Sequence, residues 1–155
     1  MDAVERFTNA AQLANISIEV GRFPEGTRTA KDAAAAVGCE LAQIVKSLVF
    51  VSCGEPYLVL ASGKNRVDES LVAEVLEIDS LSIASPEQVR EATGFAIGGT
   101  PPFGHLRLIP TILDKDLLAY DTVWAAAGTP DSCFPINPGK LQEITAAVVT
   151  HVVNA

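Results

Sequence analysis

A lysine interrupts the apolar run Ile44-Val45-Lys46-Ser47-Leu48-Val49-Phe50, at the start of a segment whose β-branched residues favour a buried strand. An ammonium withdrawn from water without partners is costly, so Lys46 is paired, reaches solvent along its stem, or lines a cavity. In a cavity it would anchor an anion or, with a lowered pKa, serve as a base. The second candidate is Gly98-Gly99-Thr100-Pro101-Pro102, flanked by apolar residues on both sides. Two adjacent glycines permit positive φ and close backbone approach, while two prolines remove donors, so this stretch is neither helix nor central strand. It is a tight corner, or a stiff loop whose Gly98 and Gly99 N–H groups could address a carboxylate or a developing oxyanion. His105 follows directly and could act as a general base, although no Asp or Ser partner is visible in the sequence. Thr27 and Thr29 could hydrogen-bond a ligand, with helix capping the simpler use of Thr29. Asp114, Asp116 and Asp121 fall in a turn region and read as a solvated face, and His151 reads as an exposed or packing residue of the last helix.

Other chemistries find little support. The three cysteines, Cys39, Cys53 and Cys133, are odd in number and lack a Cys-x-x-Cys spacing, and only two histidines accompany them. That argues against a zinc site or a disulfide framework. No Gly-x-Ser-x-Gly elbow, Gly-x-Gly-x-x-Gly fingerprint or Walker pattern is present. A net charge of −8 opposes gripping nucleic acid by phosphate neutralisation alone, and DNA is not an expected partner. The longest apolar runs, such as residues 144–149, fall far short of a membrane span, and an acid at position 2 does not open a signal peptide. No membrane association is expected, and the cytoplasm is the expected location.

The elements that must position these residues are legible in outline. Residues 2–14 place Val4, Phe7, Ala11 and Ala14 on one helical face, and residues 17–20 read as a short strand. Thr29-Ala30-Lys31-Asp32 is a capping-box pattern opening an alanine-rich helix that Gly38 ends, followed by a helical turn over residues 40–44. Residues 45–52 and 57–61 make a hairpin about Cys53-Gly54-Glu55-Pro56. Residues 65–76 are expected to be helical and 81–84 a strand; Ser85-Pro86-Glu87-Gln88 caps a helix running to about Thr93. Strands are expected over 106–113, 122–127 and 133–136, and Asn137-Pro138 opens a last helix carrying Leu141, Ile144 and Val148. At 48% hydrophobic and 19% charged residues, 155 residues form one globular domain, spanning 1–155. The order of elements predicts a mixed α/β fold with a mostly antiparallel or mixed sheet, partly closed, and helices outside, rather than steady βαβ alternation.

Two blocks carry a resemblance. Thr27-Arg28-Thr29-Ala30-Lys31-Asp32-Ala33-Ala34, continuing through Gln43 to Phe50, resembles the first half of the YbaK/EbsC/ProX family. Thr93 to His105 resembles that family's Gly-x-x-x-Pro loop segment, followed in order by residues 108–114, the Ala126-Ala127-Gly128 turn and the Asn137–Leu141 helix start. Members of this family are aminoacyl-tRNA deacylases related to the editing insertion domain of bacterial prolyl-tRNA synthetase. The resemblance implies a barrel-like central sheet, a single deacylase domain and no cofactor or metal. It implies that Lys46 is the essential lysine and that Gly98 and Pro102 end a substrate-positioning loop. With them it brings Gly99 as a catalytic residue, and Thr27, Ser47, Thr100, Pro101, His105, Ala126 and Gly128 as substrate-binding positions. The implied substrate is an aminoacyl-tRNA held by its 3′ acceptor end, most plausibly tRNA for proline carrying a small non-cognate amino acid, with prolyl-tRNA synthetase a candidate partner.

The sequence departs from its relatives where specificity is set. Ala126 and Cys133 stand where cysteinyl-specific members carry Ser and Asp, and no histidine lies near Ala126 as in alanine-specific ones. Alanine, cysteine, serine, threonine and 2-aminobutyrate therefore stay open. Lys31, Lys64, Arg66, Arg107 and Lys115 could form a basic rim for the acceptor end. Two rival readings stay open: a non-catalytic module that binds an aminoacyl group or nucleotide, and a hydrolase of small acyl esters or amides unrelated to tRNA.

Overall fold

The computed structural model describes residues 2–153. In chain order these form α1 (Ala3–Leu13), β1 (Gly21–Arg22), α2 (Ala30–Val37), β2 (Val45–Ser52), β3 (Glu55–Ser62), α3 (Glu69–Leu76), β4 (Ser82–Ile83) and α4 (Pro86–Thr93). Then come β5 (Thr111–Asp114), β6 (Val123–Ala126), β7 (Ser132–Ile136), α5 (Pro138–Thr145) and β8 (Val148–Thr150). Short 3-10 turns occupy Leu41–Gln43 and Lys115–Ala119.

The strands form two sheets, one in the order β1-β7-β6 and one in the order β4-β2-β3-β5-β8. The β1–β7, β6–β7, β2–β3 and β2–β4 pairings are antiparallel, whereas β3–β5 and β5–β8 are parallel. The fold is thus mixed α/β and mostly antiparallel, as expected, but the sheet is parted in two. The parts touch at a bridge between Ile44 and Trp124, just before β2 begins. The main core lies between them. Phe7 of α1, Phe103 and Phe134 of β7 meet there, with ring centroids 4.9, 5.0 and 6.1 Å apart. Because Phe103 follows Pro102, this aromatic triad fixes one end of the glycine–proline loop to the core. A second apolar cluster, including Phe50, Val72, Ile112 and Val152, packs α3 against the other face of the larger sheet.

Local signals account for most helix boundaries. Ser85 and Gln88 form a full reciprocal capping box on α4, and Gly94 closes that helix at φ +83°. Thr29 accepts from the Asp32 N–H at 3.1 Å and Gly38 closes α2 at φ +75°. The hairpin turn is Cys53-Gly54, both at positive φ, so β3 begins at Glu55 and carries Pro56 within it.

Four expectations are corrected. Residues 65–68 are not helical: α3 begins at Glu69, capped by Asp68. Residues 106–110 are not strand: pairing starts at Thr111, after Pro110, and Leu108 is 98% exposed. Residues 17–20 make no ladder; Ile18 and Val20 pack on the core, and pairing waits for Gly21. The last helix stops at Thr145, because Ala146 turns left-handed at φ +53°, and Val148 joins β5 as a parallel edge strand. His151 therefore lies beyond β8, not on a helix.

Candidate active site

A cavity of about 620 Å³ opens where β2 and β6 diverge beyond the Ile44–Trp124 bridge. One wall is Thr27 to Ala30 with Ala33, the entry and first turns of α2. The floor is Ile44 to Leu48, and Trp124 to Ala126 with Ser132 and Cys133 face it. Ile97, Gly98 and Thr100 close the remaining side. Chain segments far apart in sequence are thus brought to one hollow, with Lys46, Ser47, Gly98, Thr100, Thr27 and Ala126 all on its wall.

The β2 floor is an open strand edge. The Gly63 N–H donates to the Ile44 C=O at 2.7 Å, which sets the alternation: Ile44, Lys46 and Leu48 bond toward β3, while Val45, Ser47 and Val49 bond away from it. On that outer side the Ala84 N–H reaches the Val49 C=O at 3.0 Å, and β4 pairs only with Phe50 and Val51. Ser47 is in register with Leu60 of β3, but by this alternation its main-chain groups lie on the outer side, short of β4. The Ser47 Oγ is buried with no hydrogen-bond partner among the described residues. Natural interiors rarely leave a hydroxyl so, which singles out Ser47 among the residues of the cavity floor.

Lys46 carries the electrostatics. Its ammonium donates to the Asn65 main-chain carbonyl. Burial lowers the Lys46 pKa and the charge of Asp114 opposes that fall. Asp114, expected on a solvated face, is instead fully buried. Its Oδ2 accepts from the Ser62 N–H at 2.9 Å and from Asn65 Nδ2 at 2.8 Å, and its Oδ1 accepts from the Asp116 N–H at 3.0 Å.

The glycine–proline loop divides. Gly98, at φ +87°, sits against Arg28, and a Cβ there would lie 3.1 Å from the arginine Cγ. The Gly98 N–H has no acceptor among the described residues. Gly99 does not line the cavity: its N–H donates to the Ala96 C=O at 3.0 Å, and it packs against the Thr129–Pro130 backbone. Thr100 Oγ1 likewise donates to the Ala96 C=O at 3.0 Å. Pro101 and Pro102 are buried behind the wall. His105 lies there too, its Nε2 2.7 Å from the Pro101 C=O, and burial lowers its pKa more than that bond raises it. Gly128, at φ +118°, also stands outside the cavity, pressed against the Ala3 carbonyl. Thr27 lines the wall, but its hydroxyl and N–H both donate to the Pro130 C=O, at 3.0 and 2.6 Å.

Among the wall residues that the sequence did not single out, Arg28 and Trp124 stand out chemically. Arg28, exposed at the mouth, has no ion-pair or hydrogen-bond partner among the described residues. Trp124 supplies the one aromatic surface of the wall. Neither carries a spacing signal, although Arg28 lies between the two threonines already singled out. None of the five expected rim cations lines the cavity; Lys64 and Arg107 are instead ion-paired with Asp116 and Glu55, at 3.7 and 2.9 Å. Among the described residues no three His, Cys, Asp or Glu side chains gather to hold a metal.

The sequence pattern of the aminoacyl-tRNA editing domain matches residues 24–144, a stretch that contains the whole cavity wall. The chain belongs to the aminoacyl-tRNA editing domain family. It is 31% identical over 132 residues to the uncharacterized protein YwhH of Bacillus subtilis, covering 84% of this chain and 83% of that one. The proline–tRNA ligase of Limosilactobacillus fermentum is 30% identical over 120 residues, 74% of this chain but 21% of the ligase, so the likeness is to one part of that enzyme. A crystal structure of a candidate trans-editing enzyme for prolyl tRNA synthetase superposes with a TM-score of 0.92 at 45% identity, covering 100% of this chain and 99% of that one. The family is that of tRNA deacylases related to prolyl-tRNA synthetase, and the fold is that of the superposed structure. No helix among the described residues is long and apolar enough to cross a membrane.

Proposed function

We propose that residues 1–155 act as a single domain that hydrolyses, in trans, the ester of a mischarged aminoacyl-tRNA, with tRNA for proline bearing a small non-cognate amino acid as the substrate. The observation that carries this reading is the convergence of Lys46, Ser47, Gly98 and Thr100 on one cavity, in a chain of the editing-domain family. The hollow, about 620 Å³, lies within the usual range of small-molecule sites and has room for an aminoacyl group with part of the terminal adenosine.

An aminoacyl ester on a ribose is activated, so neither metal nor covalent nucleophile is required. A water attacks the carbonyl, and its proton passes, by way of the neighbouring ribose hydroxyl or solvent, to the leaving ribose oxygen; the ester C–O bond breaks, and amino acid and tRNA separate. The site must orient the ester and stabilise the oxyanion. In this reading the Lys46 ammonium acts electrostatically and the free Gly98 N–H faces the developing charge. The Ser47 hydroxyl and strand edge hold the α-amino group, an arrangement that would satisfy the orphaned Oγ. Trp124 offers a face for the adenine, and Arg28 at the mouth meets the terminal phosphate. Ala30, Ala33, Ala125 and Ala126 leave space for the side chain and set its limit, a selection by volume.

The overall charge of −8 implies weak affinity for the tRNA body, which a synthetase would supplement; prolyl-tRNA synthetase is the proposed partner. Purified protein is incubated with tRNA for proline charged in turn with alanine, cysteine, serine, threonine and 2-aminobutyrate, with and without the synthetase. The reading predicts cleavage of at least one ester well above the buffer rate; cleavage of none contradicts it.

A further inference from the structure

Lys46 would be a poor electrostatic group if it were free to swing or to lose its proton, and the structure contains a device that prevents both. Asn65 lies outside the cavity wall, in the turn after β3, where its N–H donates to the Ser62 C=O at 2.9 Å. Its side-chain Nδ2 donates to Asp114 Oδ2 and to Asp116 Oδ2, each at 2.8 Å. Asp114 also accepts from the Ser62 N–H, so one buried carboxylate grips both ends of the turn. The turn in turn presents the Asn65 carbonyl, which accepts one hydrogen bond from the Lys46 ammonium. Two ammonium protons remain without partners among the described residues.

The neighbouring charges sort themselves. Asp116, half-exposed, has Lys64 at 3.7 Å and His151 at 4.0 Å. Asp114, fully buried, receives only N–H donors and makes no ion pair with those two, and its charge acts on Lys46. Its two oxygens between them accept three N–H groups, the pattern of an ionised carboxylate.

Building on the deacylase reading, we propose that Asn65 and Asp114 are positioning residues of the site: Asp114 locks the Ser62–Asn65 turn, and the turn holds Lys46 at the cavity wall as a charged ammonium. Without the Asp114 charge, burial alone would act on Lys46 and its proton would leave at lower pH. Without the Asn65 amide, the carbonyl that grips the ammonium would lose its fixed place.

The test reads Lys46 itself, so it does not depend on the substrate. Protein carrying 13C at the lysine ε-carbon is titrated by NMR from neutral to alkaline pH, with Lys46 assigned by the signal missing in Lys46→Ala. Asp114→Asn is expected to lower the Lys46 midpoint by about one pH unit relative to wild type. Its alkaline limb of kcat/KM should move by the same amount, a shift that mere loosening of the fold would not produce. Asn65→Ala is expected to lower kcat by about tenfold with little change in KM, and Asn65→Gln to restore part of it. A folded Asp114→Asn with an unmoved Lys46 midpoint overturns the proposal. If that variant does not fold, an Asn65→Ala with a wild-type Lys46 resonance and wild-type kcat overturns it. If no mischarged tRNA is cleaved, the titration still decides the Lys46–Asp114 coupling, and the two failures remain separable.

Discussion

Replacing Gly99 by alanine probes how the glycine–proline loop is held. A methyl group there would stand 2.8 Å from both the Cα and the carbonyl carbon of Thr129, and 3.0 Å from the Pro130 nitrogen. These are main-chain atoms of a corner already pinned by Thr27, so no rotamer change relieves the contact. Overpacking of this kind costs about 1–3 kcal/mol. For a chain of this size that corresponds to a fall in Tm of about 2–12 °C. Gly98→Ala is the contrast. Its methyl meets only the flexible Arg28 stem, at 3.1 Å, and its cost of about 1–2 kcal/mol comes from the left-handed backbone at φ +87°. The two lesions therefore differ in reach. Gly99→Ala pushes the loop away from the corner that leads into Ser132 and Cys133, displacing one cavity wall from another. A misplacement of about 1 Å costs about a hundredfold in rate when it separates reacting groups. Calorimetric melting with single-turnover deacylation measures both effects. A Gly99→Ala protein that melts and cleaves like wild type would refute the close-approach argument.

Three further outcomes are expected. Ala126→Leu puts bulk into the cavity and should lower kcat/KM for the larger of two cleaved aminoacyl groups more than for the smaller, by about tenfold per displaced methylene-sized space, in a side-by-side deacylation assay. His105 has its pKa lowered below 6.5 by burial, so the unfolded chain takes up the proton first. The stability it contributes is complete above pH 6.5 and is lost as pH falls toward its folded value, and thermal melts of His105→Gln should lose less over that acidic window than wild type. The Cys133 thiol is buried and pushed up to about 11, whereas Cys53 is exposed on the β2–β3 turn. Maleimide near neutral pH, followed by mass spectrometry, should label Cys53 and reach Cys133 only after denaturant is added.

What could be read in the sequence was what local chemistry determines. The Ser85–Gln88 box and the left-handed glycines at 38 and 94 stand where their residue types require, and the hairpin turns within the expected Cys53–Pro56 stretch, although Glu55 and Pro56 already belong to β3. Lys46 was legible as an anomaly because a charge in an apolar strand violates the pattern of its neighbours. Its partners were not, since the Asn65 carbonyl that accepts from it and the Asp114 charge that acts on it are brought near only by β-sheet register and the turn after β3. Asp114 looked solvated because it precedes a turn; the parallel pairing of β5 between β3 and β8 buries it. The stretch 106–110 alternates like a strand, but Gly104 at φ +81° and Pro110 keep it out of the ladder. Strand β8 hid in the apolar run of α5, where no glycine or proline marks the left-handed turn at Ala146. The glycine–proline loop was legible as rigid, but not that Gly98 faces the cavity while Gly99 and His105 stand behind it.

We propose that this Lys46 cavity removes a small amino acid from mischarged tRNA. The most direct measurement is the deacylation rate of wild type and Lys46→Ala on the mischarged tRNA panel, with both proteins shown to be folded by their melts. The account predicts that wild type cleaves at least one ester well above the buffer rate and that Lys46→Ala loses at least about a hundredfold of that activity. Cleavage by Lys46→Ala at the wild-type rate, or no cleavage by wild type of any ester, would contradict it.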